Sequence, residues 1–236
     1  MSKEELLELY REFGSEAQEA LNFVVKNLPI LKVDCDVSEL PHDEGRIITI
    51  EKPGTISFEK PADGVYIIFK TGQYVPFDKD ADYNKEDVTG IGVVYDGHPF
   101  QVALEDLGEQ PLIKEENNTC PEESPFYKTE CEGLHDWDFV SATNHLKECG
   151  MDMPLPDGWY IPTLAVLEVM CFLKKQINEA LEFAGGKAMP DDYHWSSTEY
   201  GRTGARFVYF ASGYAYDYVK SYSYVVRAVT AFPLKA

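Results

Sequence analysis

Trp195-Ser196-Ser197-Thr198-Glu199-Tyr200 opens the stretch that decides the fold, and Val226-Arg227-Ala228-Val229 with Ala231-Phe232 closes it. Between them Ala205, Val208, Phe210, Gly213 and Lys220 read as further frame positions. Around these sit Arg202, Thr203, Gly204, Phe207, Tyr209, Tyr214, Tyr216, Asp217, Tyr218, Ser221, Tyr222 and Tyr224. Seven of the chain's fifteen tyrosines fall between Tyr200 and Tyr224, so the stretch is enriched for contact rather than for core. Tyrosine offers large amphipathic area at small entropic cost, and Ser and Gly add adaptable polar contacts, as in an antibody paratope. Catalysis would call for converging acids, bases and nucleophiles, and the stretch has few.

Upstream, helical and strand patterns divide the chain. Ser2 with Glu5 forms a capping-box pattern, and Leu6, Tyr10, Phe13, Ala17, Ala20 and Val24 follow at spacings of four and three. This predicts an amphipathic helix ending near Leu28-Pro29, whose heptad-like spacing makes it a candidate seam for homo-oligomers. Ile47–Ile50, Thr55–Phe58 and Val65–Phe69, separated by Pro-Gly and Asp-Gly turns, predict an antiparallel meander. Tyr74 to Asp87 reads as polar loop, and Gly90–Tyr95 and Phe100–Leu104 flank Asp96-Gly97-His98-Pro99 as a hairpin. Glu105 to His135, charged and interrupted by prolines, predicts a long surface loop. A short helix is expected over Asp138–Cys149, stopped by Gly150. A longer helical region should run from Pro162-Thr163 to Phe183-Ala184, with a break at Lys174-Lys175. Strands and turns follow Pro190.

Charge narrows the function classes. With 41 acidic and 21 basic residues the chain carries a formal charge of −20, which argues against nucleic-acid binding. Arg202, Arg206, Lys220, Arg227 and Lys235 make the C-terminal end locally basic against Asp217 alone. The acidity elsewhere is most simply a solubility device; the sharper reading is a basic aromatic face that meets an acidic or glycan-decorated partner. No apolar run is long enough for a membrane-spanning helix. Met1-Ser2-Lys3-Glu4-Glu5 places charge where a signal peptide needs an apolar stretch, so cytoplasmic synthesis is expected; the family resemblance given below adds display on a phage particle as one destination.

Metal and catalytic signatures are sparse. Cys35, Cys120, Cys131, Cys149 and Cys171 lack CxxC spacing. Cys171 reads as a core residue; Cys120 and Cys131 could pair in an oxidising medium, although free thiols suit a chain with no signal peptide. His42, His98, His135, His145 and His194 form no HExxH motif. His135, Asp136, Asp138 and His145 lie close in sequence, but surface polarity and helix capping explain them more simply than a metal. No phosphate-binding Gly-rich loop or GxSxG elbow is present. The expectation is therefore no metal, no cofactor and no enzymatic activity.

Gly158-Trp159-Tyr160-Ile161-Pro162-Thr163, Ile177–Leu181, Gly185-Gly186, Trp195–Tyr200 and Val226–Val229 with Ala231-Phe232 occur in an order that resembles a known family. They look like the C-type-lectin-fold domain of gut-bacterial and phage variable proteins, which diversity-generating retroelements diversify. The resemblance covers roughly residues 90–232 and is strongest after Asp157. In that family an error-prone reverse transcription of a template copy randomises adenines, and Tyr, Ser, Asp, Gly and Thr are frequent products. The implied variable set is Arg202, Thr203, Gly204, Phe207, Tyr209, Ser212, Tyr214, Tyr216, Asp217, Tyr218, Val219, Ser221, Tyr222 and Tyr224. Arg206 stands where relatives often carry tryptophan. The calcium motifs of sugar-binding lectins are missing, as are the C-terminal cysteines of formylglycine-generating enzymes.

The reading is an α+β protein. Residues 1–88 form an N-terminal helix and small antiparallel β module, and residues 89–236 a C-type lectin-like ligand-binding domain whose variable region spans about 195–232. It implies a receptor- or ligand-recognising face for a protein or another cell-surface ligand. The alternatives are a fixed adhesin or structural module of the same fold and, last, an enzyme using the acidic loops around His135 and Asp138. The variable side chains are expected to share one exposed surface, with Trp195, Phe210, Val226, Val229 and Phe232 buried beneath them.

Overall fold

Asp96 and Gly97 both take positive φ, 48° and 73°, and so make the tight primed turn that matches the twist of paired strands. The hairpin they close, β3 (Val88–Tyr95) with β4 (His98–Val102), sits at the middle of a five-stranded sheet. The computed structural model describes residues 61–81 and 84–232. The expected N-terminal helix and the strand runs at 47–50 and 55–58 lie outside the described residues. All the strands below fall within one unit, Ala62–Pro233.

The architecture is mixed helix and sheet with two largely antiparallel sheets. The first has the order β10-β4-β3-β1-β2, in which β1 is Gly64–Phe69, β2 is Tyr74–Pro76 and β10 is Val229–Ala231. Gly64–Phe69, read from sequence as the last run of an N-terminal meander, pairs along its whole length with β3. It therefore shares a sheet with residues beyond 89. The second sheet has the order β5-β9-β6-β7-β8: β5 is Glu109–Pro111, β6 Tyr193–Glu199, β7 Gly204–Tyr209, β8 Tyr214–Val219 and β9 Ser223–Val225.

Four α-helices are described. A single turn, α1 (Glu130–Gly133), is held by a complete capping box between Thr129 and Glu132. Asp138 caps α2 (Phe139–Glu148), and Gly150 at φ 99° ends it. Helices α3 (Leu164–Phe172) and α4 (Lys174–Phe183) break at Leu173. Helix α3 is buried almost all round, so two lysines cannot extend its axis, and the turn at Leu173 brings Lys174 to the Phe210 carbonyl at 3.0 Å.

One core lies between the sheets, where Ile67, Ile91, Val93 and Val102 meet α3, α4, Val208 and Phe210. A second core covers the opposite side of β6 and β7: Trp195, Ala205 and Phe207 pack with Leu112, Ile113, Leu146, Met151 and Val226. The segment 105–135 is largely irregular, as expected, but it is not purely surface, because Leu112, Ile113 and Cys120 are buried. The chain crosses between sheets through Val226–Ala228. There Arg227, fully buried, donates to Asp106 at 2.6 Å and to the carbonyls of Ala103 and Lys187.

Candidate binding face

Trp195, Phe210, Val226, Val229 and Phe232 are all buried, as the frame reading requires. The run after Trp195 is buried too, and its hydroxyls are all satisfied. Ser196 Oγ donates to the Arg206 carbonyl at 2.8 Å, and Ser197 Oγ to the Ile161 carbonyl at 3.0 Å. Thr198 Oγ1 accepts from Leu164 N at 2.8 Å and so caps α3 from a distant strand. Pro162 O accepts from Ser197 N at 2.8 Å. The Gly158–Thr163 and Trp195–Tyr200 motifs are thus two halves of one junction.

Glu199 and Lys220 close the frame. Both side chains are about 1% exposed, with Lys220 Nζ 2.5 Å from Glu199 Oε1. The same ammonium donates to the carbonyls of Gly201 and Arg202, at 3.0 and 2.9 Å, and to Cys120 Sγ at 3.2 Å. Glu199 Oε2 lies 2.9 Å from His145 Nε2, an ion-pair distance with an angle outside hydrogen-bond geometry. A buried pair of this kind holds only when the ammonium's remaining donors are met, and here the Gly201 and Arg202 carbonyls accept from them.

The aromatic residues form a continuous cluster on one side of the second sheet. Register places Phe207 opposite Tyr216, Tyr209 opposite Tyr214, and Ala205 opposite Tyr218. Facing residues in an antiparallel pair project to the same side. Phe207 stacks on Tyr216 at 5.7 Å and meets Tyr224 at 4.7 Å. Tyr224 continues to Tyr222 at 5.1 Å, and Tyr222 to Tyr218 at 5.2 Å. Tyr193 stacks on Tyr209 at 4.5 Å. Burial and the neighbouring Tyr222, Tyr218 and Tyr193 phenols push the Tyr224 hydroxyl above the usual phenol range, so it stays neutral at physiological pH.

Placement of the expected site residues is uneven. Arg202, Thr203, Ser212, Tyr214, Tyr216, Asp217, Tyr218, Val219, Ser221 and Tyr222 are exposed; Tyr209 and Tyr224 are half-buried. Gly204 and Phe207 depart from the expectation. Phe207 is 5% exposed because both sides of β7 are covered, and it forms the floor of the cluster. Gly204 is buried, and a Cβ there would come within 3.0 Å of the Tyr200 ring. The expectation of one shared surface also needs correction. Alternation along β8 sends Tyr214, Tyr216 and Tyr218 to one side and Asp217 and Val219 to the other. On that other side Asp217 pairs with Arg206 at 3.2 Å, and Arg206 lies over the Tyr200 ring at 4.8 Å.

Three frame contacts to these positions go to the main chain. Trp195 Nε1 donates to the Tyr222 carbonyl at 3.2 Å, Asn118 Nδ2 to the Arg202 carbonyl at 3.1 Å, and Lys220 N to the Thr203 carbonyl at 2.8 Å. Side-chain identity at Arg202, Thr203 and Tyr222 does not enter these bonds.

Four of the five basic residues of the C-terminal end are ion-paired in the fold, and Lys235 lies outside the described residues. Arg202 pairs with Glu122, Arg206 with Asp217, Lys220 with Glu199 and Arg227 with Asp106. No positively charged face remains among these four. Tyr193 falls outside the expected set, although it lies two residues before Trp195 and so on the same side of β6.

Among the described residues no group of three or more His, Cys, Asp and Glu could hold a metal ion. Asp138 accepts from Ser141 N, which holds its carboxyl below the usual range, and His145 turns inward onto Phe126 and Glu199. Cys120 is buried and Cys131 exposed, both as free thiols. Burial first, and then contact with Cys120, pushes the Cys149 thiol up to about 12. No helix among the described residues is long and apolar enough to cross a membrane.

No family model matches the chain, and no curated protein does. The chain is similar to a fimbrial protein from Bacteroides ovatus ATCC 8483 of known crystal structure, with 16% sequence identity and a TM-score of 0.46. The similarity covers 72% of this chain and 48% of that protein, so this chain matches about half of its length.

Proposed function

We propose that the protein is a non-enzymatic, ligand-binding variable protein of a diversity-generating retroelement, with a C-type lectin-like domain presenting the Tyr-rich face. The observation that carries this reading is the continuous cluster of Tyr209, Tyr216, Tyr218, Tyr222 and Tyr224, joined through Tyr193, above a floor of Trp195 and Phe207, with Tyr214 opposite Tyr209 in the strand register. Exposed aromatics held by a rigid frame lower the ordering cost of binding and supply the anchors that dominate interfaces. The exchangeable set is Arg202, Thr203, Tyr209, Ser212, Tyr214, Tyr216, Asp217, Tyr218, Val219, Ser221, Tyr222 and Tyr224. Phe207 and Gly204 join the frame. The partner is a protein or another cell-surface ligand, met without metal or cofactor.

Two measurements test this. The DNA downstream of the gene should carry a near-repeat of the codons for residues 195–232 and a reverse-transcriptase gene; absence of both leaves a fixed adhesin or structural module. Once a partner is captured, combined Ala substitution of Tyr214, Tyr216 and Tyr222 should abolish binding, and a chelator should leave it unchanged. Binding that survives the triple variant moves the site off this face.

A further inference from the structure

Each sheet ends on two edge strands. Three of the four, β2, β5 and β10, are three residues long, the short edges by which proteins avoid unwanted pairing. The fourth, β8, has six residues. Among the described residues it pairs with β7 alone, along its whole length, leaving its outer edge open. None of the usual guards is present on it. The strand has no proline or lysine, its register with β7 runs without a bulge, and its one charged residue, Asp217, is engaged by Arg206. None of its six residues is buried.

We infer that β8 takes an extended segment of a partner polypeptide as an added strand. This rests on the binding-face reading and names the chemistry of its partner. A partner lying flat on the tyrosine side reaches Tyr214, Tyr216 and Tyr218 but cannot touch Asp217 or Val219, which project from the opposite side. A strand added at the edge runs beside both rows at once, so every expected site residue of β8 falls within one contact. Main-chain hydrogen bonds then supply affinity that does not depend on side chains, and the two rows supply discrimination. The formal charge of −20 keeps copies of this chain apart and disfavours an acidic segment, so the occupant is a neutral or basic strand of another polypeptide rather than a second copy.

The test uses the full chain and short random peptides displayed on phage, followed by synthesis of the selected peptides with a single backbone N-methyl group at each position in turn. Selected sequences should be poor in Asp and Glu. Methylation at alternate positions should weaken binding by about tenfold, the loss expected for a main-chain hydrogen bond, and the intervening positions should tolerate it. Amide deuterium exchange should slow at alternate residues between 214 and 219 when peptide is bound. Selection that yields no binder, or binders indifferent to methylation at every position, overturns strand addition. So does self-association of the free chain that protects the same amides, because it assigns the edge to a second copy. Binders indifferent to methylation but lost in the Tyr214, Tyr216 and Tyr222 triple-Ala variant would sink strand addition and leave the aromatic face standing. An alternating pattern that survives the triple variant would do the reverse.

Discussion

Strands β6 and β8 flank the same strand, β7, yet they share almost nothing in environment. Every residue of β6 from His194 to Glu199 is buried; no residue of β8 is. Helix α3 covers one side of β6, and the core built from Leu112, Ile113 and Leu146 covers the other. On β8 only Ala215 packs against the first of these covers. Proximity in a sheet therefore says little about what a strand is for. Here β6 is enclosed on both sides, and β8 is open.

Truncation at either strand should show the difference. Trp195→Ala should lose about 3–5 kcal/mol in denaturant unfolding, because it empties the centre of the second core. A loss no greater than that of Tyr216→Ala would erase the distinction. Lys220→Met should cost a similar or slightly smaller amount, about 3–5 kcal/mol, by leaving Glu199 buried without its counter-ion. Thermal unfolding of Lys220→Met beside Glu199→Gln checks whether the pair acts as a unit.

A third prediction concerns pH. Burial holds His194 down to about 4 from an ordinary 6.5, and its ring stacks on Phe210 at 3.9 Å. As pH falls below 6.5 the unfolded chain takes up the proton first, so the folded state loses stability. The loss grows until about pH 4, where folded His194 protonates too, and it then levels off. Its full size is roughly 3 kcal/mol. Unfolding curves at intervals from neutral to acid pH should show a steeper decline for the wild type than for His194→Gln; parallel declines would place the acid sensitivity elsewhere. The smallest effect is expected on β8 itself. Tyr216→Ala should stay within about 0.5 kcal/mol of the parent in the same unfolding assay.

Much of this contrast is legible in the amino-acid sequence. The cap at Asp138, the stop at Gly150, the Asp96-Gly97 turn and the break before Lys174-Lys175 are local signals, and local signals survive folding. Alternation along β8 is equally visible. Its consequence is not, because whether both sides of a strand are covered depends on distant segments. Phe207 looks like its neighbours in sequence but has a covered side on each face of β7. Leu112, Ile113 and Cys120, scattered among charges and prolines, show no period that would mark them as core. The pairing of Lys220 with Glu199, and of Arg227 with Asp106, joins residues far apart in the chain, so basic residues that stand out on paper are ion-paired in space.

The carbonyls that receive Trp195, Asn118 and Lys220 belong to Tyr222, Arg202 and Thr203. A carbonyl is common to all twenty amino acids. At these positions, then, a substitution exchanges the exposed side chain and leaves in place the acceptor that the frame grips.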